Sequence, residues 1–236
     1  MSNCTFAPGA DGIRPIKYSN GVMSLIDQRL LPGEEVWLEY NDYQAVAEAI
    51  RSMVVRGAPA IGVTAAYGAY FGARAIEADN YNEFVNEFKK VCDVLAATRP
   101  TAVNLCWALE RMQSLIRANP DQPVENLKIG LEYEAMAIND EDIRINMSMG
   151  RHGAELLPGE ARILTHCNAG ALATAAERRL RERPSRRFRP SKMPTSACCT
   201  AFAISLRTCC SSSPETPSAR TICCKACRTY SRSEDV

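Results

Sequence analysis

The 236-residue sequence predicts an α/β chain: a small N-terminal β-meander plus a helical domain, followed by a truncated Rossmann-like α/β domain. Three features predict it. Two β-compatible runs flank Asn20-Gly21, the strongest short hairpin signal. Apolar residues then recur at helical spacing between Asn41 and Leu157. Last, a β-prone run, a tight loop and a small-residue helix follow one another between Arg162 and Ala175, the order that opens a Rossmann-like unit. The expected divisions are 1–120 for the β and helical part, 121–175 for the start of the Rossmann-like part, and 176–236 for a tail of different character.

Ile13–Tyr18 and Val22–Asp27 form the expected hairpin, with Pro15 confining the first run to an edge because it has no N–H to donate. Val36–Tyr40 adds a third strand after the Pro32-Gly33 turn. Asp42 is a good N-cap for a helix whose apolar positions are Val46, Ala49, Ile50 and Met53. Arg56-Gly57-Ala58-Pro59 breaks the chain, and Pro59 suits the first turn of a new helix, where its missing N–H would be unpaired anyway. That helix, near Ala60–Glu77, is apolar and rich in Ala and Gly, as expected of a buried helix with close backbone contacts. Another covers about Asn82–Ala97, with Phe84, Val85, Phe88, Val91, Cys92 and Leu95 on one face. The next follows Thr98-Arg99-Pro100-Thr101 and runs to about Ala118. Beyond the Asn119-Pro120-Asp121 turn, helical sequence extends from Val124 to Leu157, as one long helix or a broken pair, until Pro158-Gly159 ends it.

A net charge of +1 gives no reason to expect nucleic acid or a membrane surface as partner. The longest apolar stretch, Ala60–Ala75, is interrupted by Gly62, Gly68, Gly72 and Arg74 and is too short to span a bilayer. Cys4, Cys92, Cys106 and Cys167 are spaced unlike a disulfide framework, and no basic-then-apolar leader is visible, so a cytoplasmic protein with reduced thiols is expected. The averages hide an asymmetry. Residues 176–236 hold 13 of the 28 basic and 5 of the 27 acidic side chains, seven of the 11 cysteines and none of the 13 glycines. Their Arg-rich and Ser-rich runs keep no hydrophobic period and cannot easily build a core, so the tail is expected to be disordered and to arise from a shifted reading frame or a gene-model error, the alternative being a genuine divergent tail. Its Cys224-x-x-Cys227 lacks a second pair at zinc-finger spacing, and His152 has no metal-binding partner spacing, so no metal is expected.

Three places carry candidate chemistry. Arg56-Gly57-Ala58 lies where one helix ends and another begins; a helix N-terminus offers unpaired N–H groups, glycine admits close approach, and Arg56 adds a fixed cation for an anion. Arg99 sits in a turn before a helix, where its paired N–H donors can grip a phosphate or a hydroxyl. Cys167 ends a β-prone run just before a helix, the position at which open α/β folds place their sites and at which a thiol's pKa is lowered. Taken singly, each has a commoner explanation: a helix–helix turn, a surface arginine, a buried inert cysteine.

Four segments together change that weighing: Gly12–Lys17 with Leu25-Ile26-Asp27-Gln28-Arg29, Val55–Gly62, Thr98–Leu105, and Leu164-Thr165-His166-Cys167-Asn168-Ala169-Gly170. In this order and spacing the chain resembles the methylthioribose-1-phosphate isomerase family of methionine salvage. It is similar, less closely, to regulatory subunits of a translation-initiation exchange factor and to ribose-1,5-bisphosphate isomerases. The resemblance covers residues 11–175. It implies an aldose–ketose isomerase acting on a sugar phosphate without metal or organic cofactor, dimeric when intact, with Arg56, Gly57, Ala58 and Arg99 binding substrate and Cys167 as one of two catalytic groups. The family's second group, an aspartate further along, has no counterpart in residues 176–236, where Asp235 is the sole Asp, and Ala176-Glu177-Arg178 replaces the family's Gly-Tyr-Gly. Activity of the chain as written is therefore expected to be impaired.

Overall fold

The computed structural model describes residues 14–156 and 170–175. The expected strand at Arg162–Thr165, the His166-Cys167-Asn168 loop and the tail lie outside the described residues. Two compact units divide the chain; residues 14–155 and 170–175 lie in the first, and Leu156 is the one described residue of the second.

The first unit opens with an antiparallel meander, β1 (Ile16–Ser19), β2 (Val22–Ile26) and β3 (Trp37–Tyr40), with β2 in the centre. Its hairpin pairs Ile16 with Leu25 and Ser19 with Val22 around Asn20 (φ 51°) and Gly21 (φ 74°), two left-handed residues that match the twist of the strands. Pro15 precedes β1, and its carbonyl accepts from the Ile26 N–H at 3.1 Å. Tyr18 fastens the sheet to the helices. Its ring stacks on Tyr67 at 4.7 Å, and its hydroxyl donates to Glu132. Burial raises the Tyr18 pKa, so the phenol keeps the proton it donates.

Helix α1 (Tyr43–Arg51) starts where Asp42 Oδ2 accepts from the Ala45 N–H at 2.8 Å, the expected cap. Met53 departs from expectation. The helix stops at Arg51, and Met53 takes φ 62° with half its surface exposed. Its N–H reaches the Ile50 carbonyl at 3.3 Å while the Val54 N–H reaches that of Ala49 at 3.0 Å, the paired bonds of a Schellman closure. That closure turns Val54 and Val55 into the core and leaves Met53 outside it.

Helix α2 (Ala58–Ala75) is the axis of the unit, and every residue from Ala60 to Ala73 is buried. It packs against α1, α3 (Tyr81–Ala96), α4 (Val103–Arg117) and α5 (Val124–Glu155). The glycines make room: a Cβ on Gly68 would sit 2.8 Å from Val46 Cγ1, and one on Gly72 2.3 Å from Val91 Cγ1. Asn80 caps α3, and the expected face of that helix is buried or half-buried. Burial among apolar groups pushes the Cys92 thiol up to about 12, which leaves it inert. The sequence after the Asn119-Pro120-Asp121 turn forms one 32-residue helix, not a broken pair. Its first half packs with α2 and α4 inside the same unit as the meander, and Arg111 of α4 ties it down through Glu134 and Glu141.

A left-handed conformation costs an L-residue about 1 kcal/mol that glycine does not lose. Met53→Gly is therefore expected to stabilise the chain by about 1 kcal/mol, raising the thermal midpoint by roughly 2–4 °C. An unchanged or lowered midpoint in calorimetry would refute the assigned strain.

Candidate functional site

The turn out of α1 delivers Arg56 to the start of α2. Gly57 is the N-cap at φ 93°, Ala58 and Pro59 are the first two helical residues, and no side chain caps the helix. The first intrahelical bond runs from the Ile61 N–H to the Gly57 carbonyl at 3.0 Å. On the side where a side chain would project, Gly57 meets the Gly170–Ala175 segment: a Cβ there would lie 2.4 Å from Ala173 Cα and 2.5 Å from its carbonyl oxygen. Glycine is thus required twice, by the backbone angle and by the crossing. The residues expected to begin a helix form instead a single 3-10 turn, Ala171–Ala173, entered through Gly170 at φ 101°. Two further ties hold it. Gln28 Nε2 donates to the Leu172 carbonyl at 2.7 Å, and the Ala175 N–H donates to Asp142 Oδ2 of α5 at 2.7 Å.

Arg56 is half-buried, and its Nε is a buried donor with no hydrogen-bond partner among the described residues. A buried guanidinium N–H left unmatched costs about 1–3 kcal/mol or more, so its presence asks for an acceptor. Nearby, buried Asp27 is engaged by Arg29 through Nε (2.9 Å) and Nη2 (2.6 Å), and also accepts the Arg29 backbone N–H at 3.0 Å. The Arg29 guanidinium holds the Asp27 carboxyl below the usual range against the opposing effect of burial, with a weaker pull from Arg56. Asp27 is thereby kept anionic and bound to Arg29. Asp142 behaves oppositely: burial raises its pKa, and bonds from Ala175 and Asn146 draw it back.

Arg99 lies half-buried in the turn between α3 and α4, where its carbonyl accepts from the Ala102 N–H at 3.0 Å. The adjoining helix, α4, has Ala102 as its N-cap, again without a side-chain cap. A Cβ on Gly62, in the second turn of α2, would sit 2.8 Å from the Asn104 carbonyl oxygen in the first turn of α4. The two helices therefore meet near their N-terminal ends. Both motif turns border that meeting, and helices α2 and α4 lack the side-chain caps that α1 and α3 have. The N-terminal ends of α2 and α4 thus present N–H groups without a side-chain cap, and Arg56 and Arg99 stand in the turns that lead into them. Cys167 lies outside the described residues. Among the described residues no three His, Cys, Asp or Glu gather as a metal site, and no helix is long and apolar enough to cross a membrane. His152 is exposed on α5 beside Glu155, at 3.9 Å.

Sequence reasoning quoted Asp27 and Gln28 within a motif but gave them no task, and passed over Asp142 and Asn146. The partner of Gln28 is 144 residues away in the chain and that of Asp142 is 33 away, so no local pattern announces either tie.

Residues 54–189 match the model of the initiation factor 2 subunit family, and the chain belongs to that family. Within it, the chain is 65% identical over 162 residues to the methylthioribose-1-phosphate isomerase of Syntrophotalea carbinolica and 55% identical to that of Geobacter sulfurreducens. Each alignment takes in 69% of this chain and 47% of the relative, so the chain spans about half the length of the relatives it matches. The crystal structure of 5-methylthioribose 1-phosphate isomerase from Pyrococcus horikoshii superposes with a TM-score of 0.64 at 46% identity, over 69% of this chain and 45% of that one. Translation initiation factor eIF-2B subunit delta from A. fulgidus gives 0.60 at 40% identity, over 69% and 47%.

Gly57→Ala is expected to force the crossing apart and lower the thermal midpoint by several degrees, as overpacking by a methyl against backbone costs about 1–3 kcal/mol. Gly130→Ala, whose Cβ would meet only Leu115 at 3.4 Å, should instead hold or raise it through helix propensity. Equal effects of the two substitutions on the midpoint would contradict the crossing. Because the folded pKa of Asp27 is depressed, its contribution is present above about pH 4, the ordinary carboxylate value, and is lost as pH falls through the lower folded value. Urea titrations should show Asp27→Asn destabilising at pH 7 and converging with the unsubstituted chain near pH 2; a gap that persists in acid would exclude the pairing as its source.

Proposed function

We propose that the chain carries the substrate-binding half of a sugar-phosphate aldose–ketose isomerase that interconverts 5-methylthioribose 1-phosphate and 5-methylthioribulose 1-phosphate. The observation that carries this reading is the buried, unmatched Nε of Arg56 beside the uncapped start of α2. A phosphate accepts from such donors at once. Identity of 52–65% over 162 residues with methylthioribose-1-phosphate isomerases from several bacteria supports that sugar.

In this reading the phosphate rests on Arg56 and the Gly57-Ala58 turn, and Arg99 holds the sugar from the α4 side. Phosphate on the anomeric oxygen prevents spontaneous ring opening, so an acid must assist it. Hydrogen then passes between C2 and C1, by proton transfer or hydride shift. Cys167 serves as one of the two acid–base groups. The partner carboxyl lies in the remainder of a Rossmann-like domain that opens with the 162–175 sequence, and the intact enzyme is a cytoplasmic homodimer without cofactor. A reading-frame shift after Ala175 accounts for the missing carboxyl motif, so the chain as written binds substrate with little turnover. The A. fulgidus match favours a second reading, a non-enzymatic subunit of an initiation-factor assembly. A third takes ribose 1,5-bisphosphate, whose second phosphate needs another cation where methylthioribose phosphate is apolar.

Calorimetric titration separates them. The chain should bind 5-methylthioribose 1-phosphate in preference to ribose 1,5-bisphosphate, and Arg56→Ala should weaken binding by about tenfold or more, the loss of a charge-assisted contact. Restoring the frame after codon 175 should confer turnover that Cys167→Ser removes. Binding of a protein partner with no affinity for either sugar would favour the second reading, and no frame that supplies a downstream Asp motif would overturn the frame-shift account.

A further inference from the structure

The Gly170–Ala175 segment begins three residues after Cys167, and three separate elements hold it. Leu172 is bound through its carbonyl by Gln28, just beyond β2; Ala173 is crossed by Gly57 at the start of α2; Ala175 is bound through its N–H by Asp142 of α5. We propose that Gln28 and Asp142 are positioning residues, which set the Gly170–Ala175 segment against the Arg56-Gly57-Ala58 turn and so give the sugar-phosphate pocket its shape. The inference rests on the isomerase reading and extends it to two residues that need not touch the sugar.

The construction of each tie argues for it. Gln28 is 8% exposed, and its own N–H donates to the Val54 carbonyl at 3.0 Å, two residues before Arg56. The amide that reaches Leu172 is therefore anchored to the same stretch of chain that delivers Arg56. Asp142 uses both carboxylate oxygens, Oδ2 for the Ala175 N–H and Oδ1 for Asn146 Nδ2 at 2.9 Å, while Asn146 also donates to the Asp142 carbonyl at 2.8 Å. Asn146 is one helical turn further on, so it fixes the carboxylate's rotamer and aims the second oxygen at the segment. Asp142 is half-buried, and the oxygen that Asn146 leaves free reaches a backbone N–H 33 residues away. Contacts from three separate elements thus fix one placement of the segment against the turn.

The test uses the full chain with Gln28→Glu, Asp142→Asn and the exchanged pair Asp142→Asn/Asn146→Asp. Gln28→Glu turns an acceptor toward the Leu172 carbonyl. Asp142→Asn places two amide donors face to face, and the exchanged pair restores one donor and one acceptor. Hydrogen exchange should quicken by about tenfold or more at residues 171–175 in both single variants while the amides of α2 keep their protection, as expected for loss of one part-buried hydrogen bond. Affinity for 5-methylthioribose 1-phosphate should fall about tenfold in parallel, and the exchanged pair should regain most of both. Unchanged exchange at 171–175, loss of protection spread equally through α2, or quickened exchange with undiminished binding would each overturn the inference. If the unsubstituted chain does not bind the sugar phosphate while exchange responds as described, the isomerase reading fails and this one with it.

Discussion

The crossing of Gly57 over Ala173 is the constraint on which the site depends. No other residue could hold φ 93° and leave the 2.4 Å that separates a would-be Cβ from Ala173 Cα. The crossing fixes where α2 begins, and with it the direction of the helix's free N–H groups. Arg56 is the residue just before, so its guanidinium is delivered to that place by the chain and not by its own preferences. A second close approach, Gly62 against Asn104, then sets the start of α4 beside the start of α2. Two backbone contacts of this kind bring two ordinary helix–turn–helix junctions together.

Burial of α2 explains why such contacts hold. A helix apolar on all sides has to be surrounded, and the four other helices surround it. The small residues that let it be surrounded are the same ones that bring backbones within touching distance. Core and site are therefore made by one feature of the sequence, the Ala- and Gly-rich run after Pro59. The meander adds an aromatic fastening through Tyr18, and the connection from β2 to β3 supplies Asp27, Gln28 and Arg29 to the neighbourhood of Arg56.

Much of this was legible in the sequence. Asn20-Gly21, Asp42 and Pro59 each act through chemistry confined to a few neighbouring residues, and each does in the structure what that chemistry requires. The 3.6-residue period on α3 marked its buried face for the same reason. Met53 misled because the apolar period continues past the point where the Schellman closure ends the helix, and periodicity carries no information about closure. Whether Val124–Glu155 is one helix or two depends on what packs beside it, which propensity does not record. Gln28 and Asp142 went unassigned because their partners are distant carbonyl and amide groups, and Asn146 takes its meaning from Asp142. Glycine at position 57 was read as room for a ligand; the structure shows that the side facing Ala173 is taken by the protein's own backbone.

The most direct measurement is a crystal structure of this chain soaked in 5-methylthioribose 1-phosphate. The account requires phosphate oxygens within hydrogen-bonding distance of Arg56 Nε and of the first N–H groups of α2. Phosphate seated elsewhere, or an Arg56 Nε already satisfied by a protein acceptor in the unliganded crystal, would contradict it.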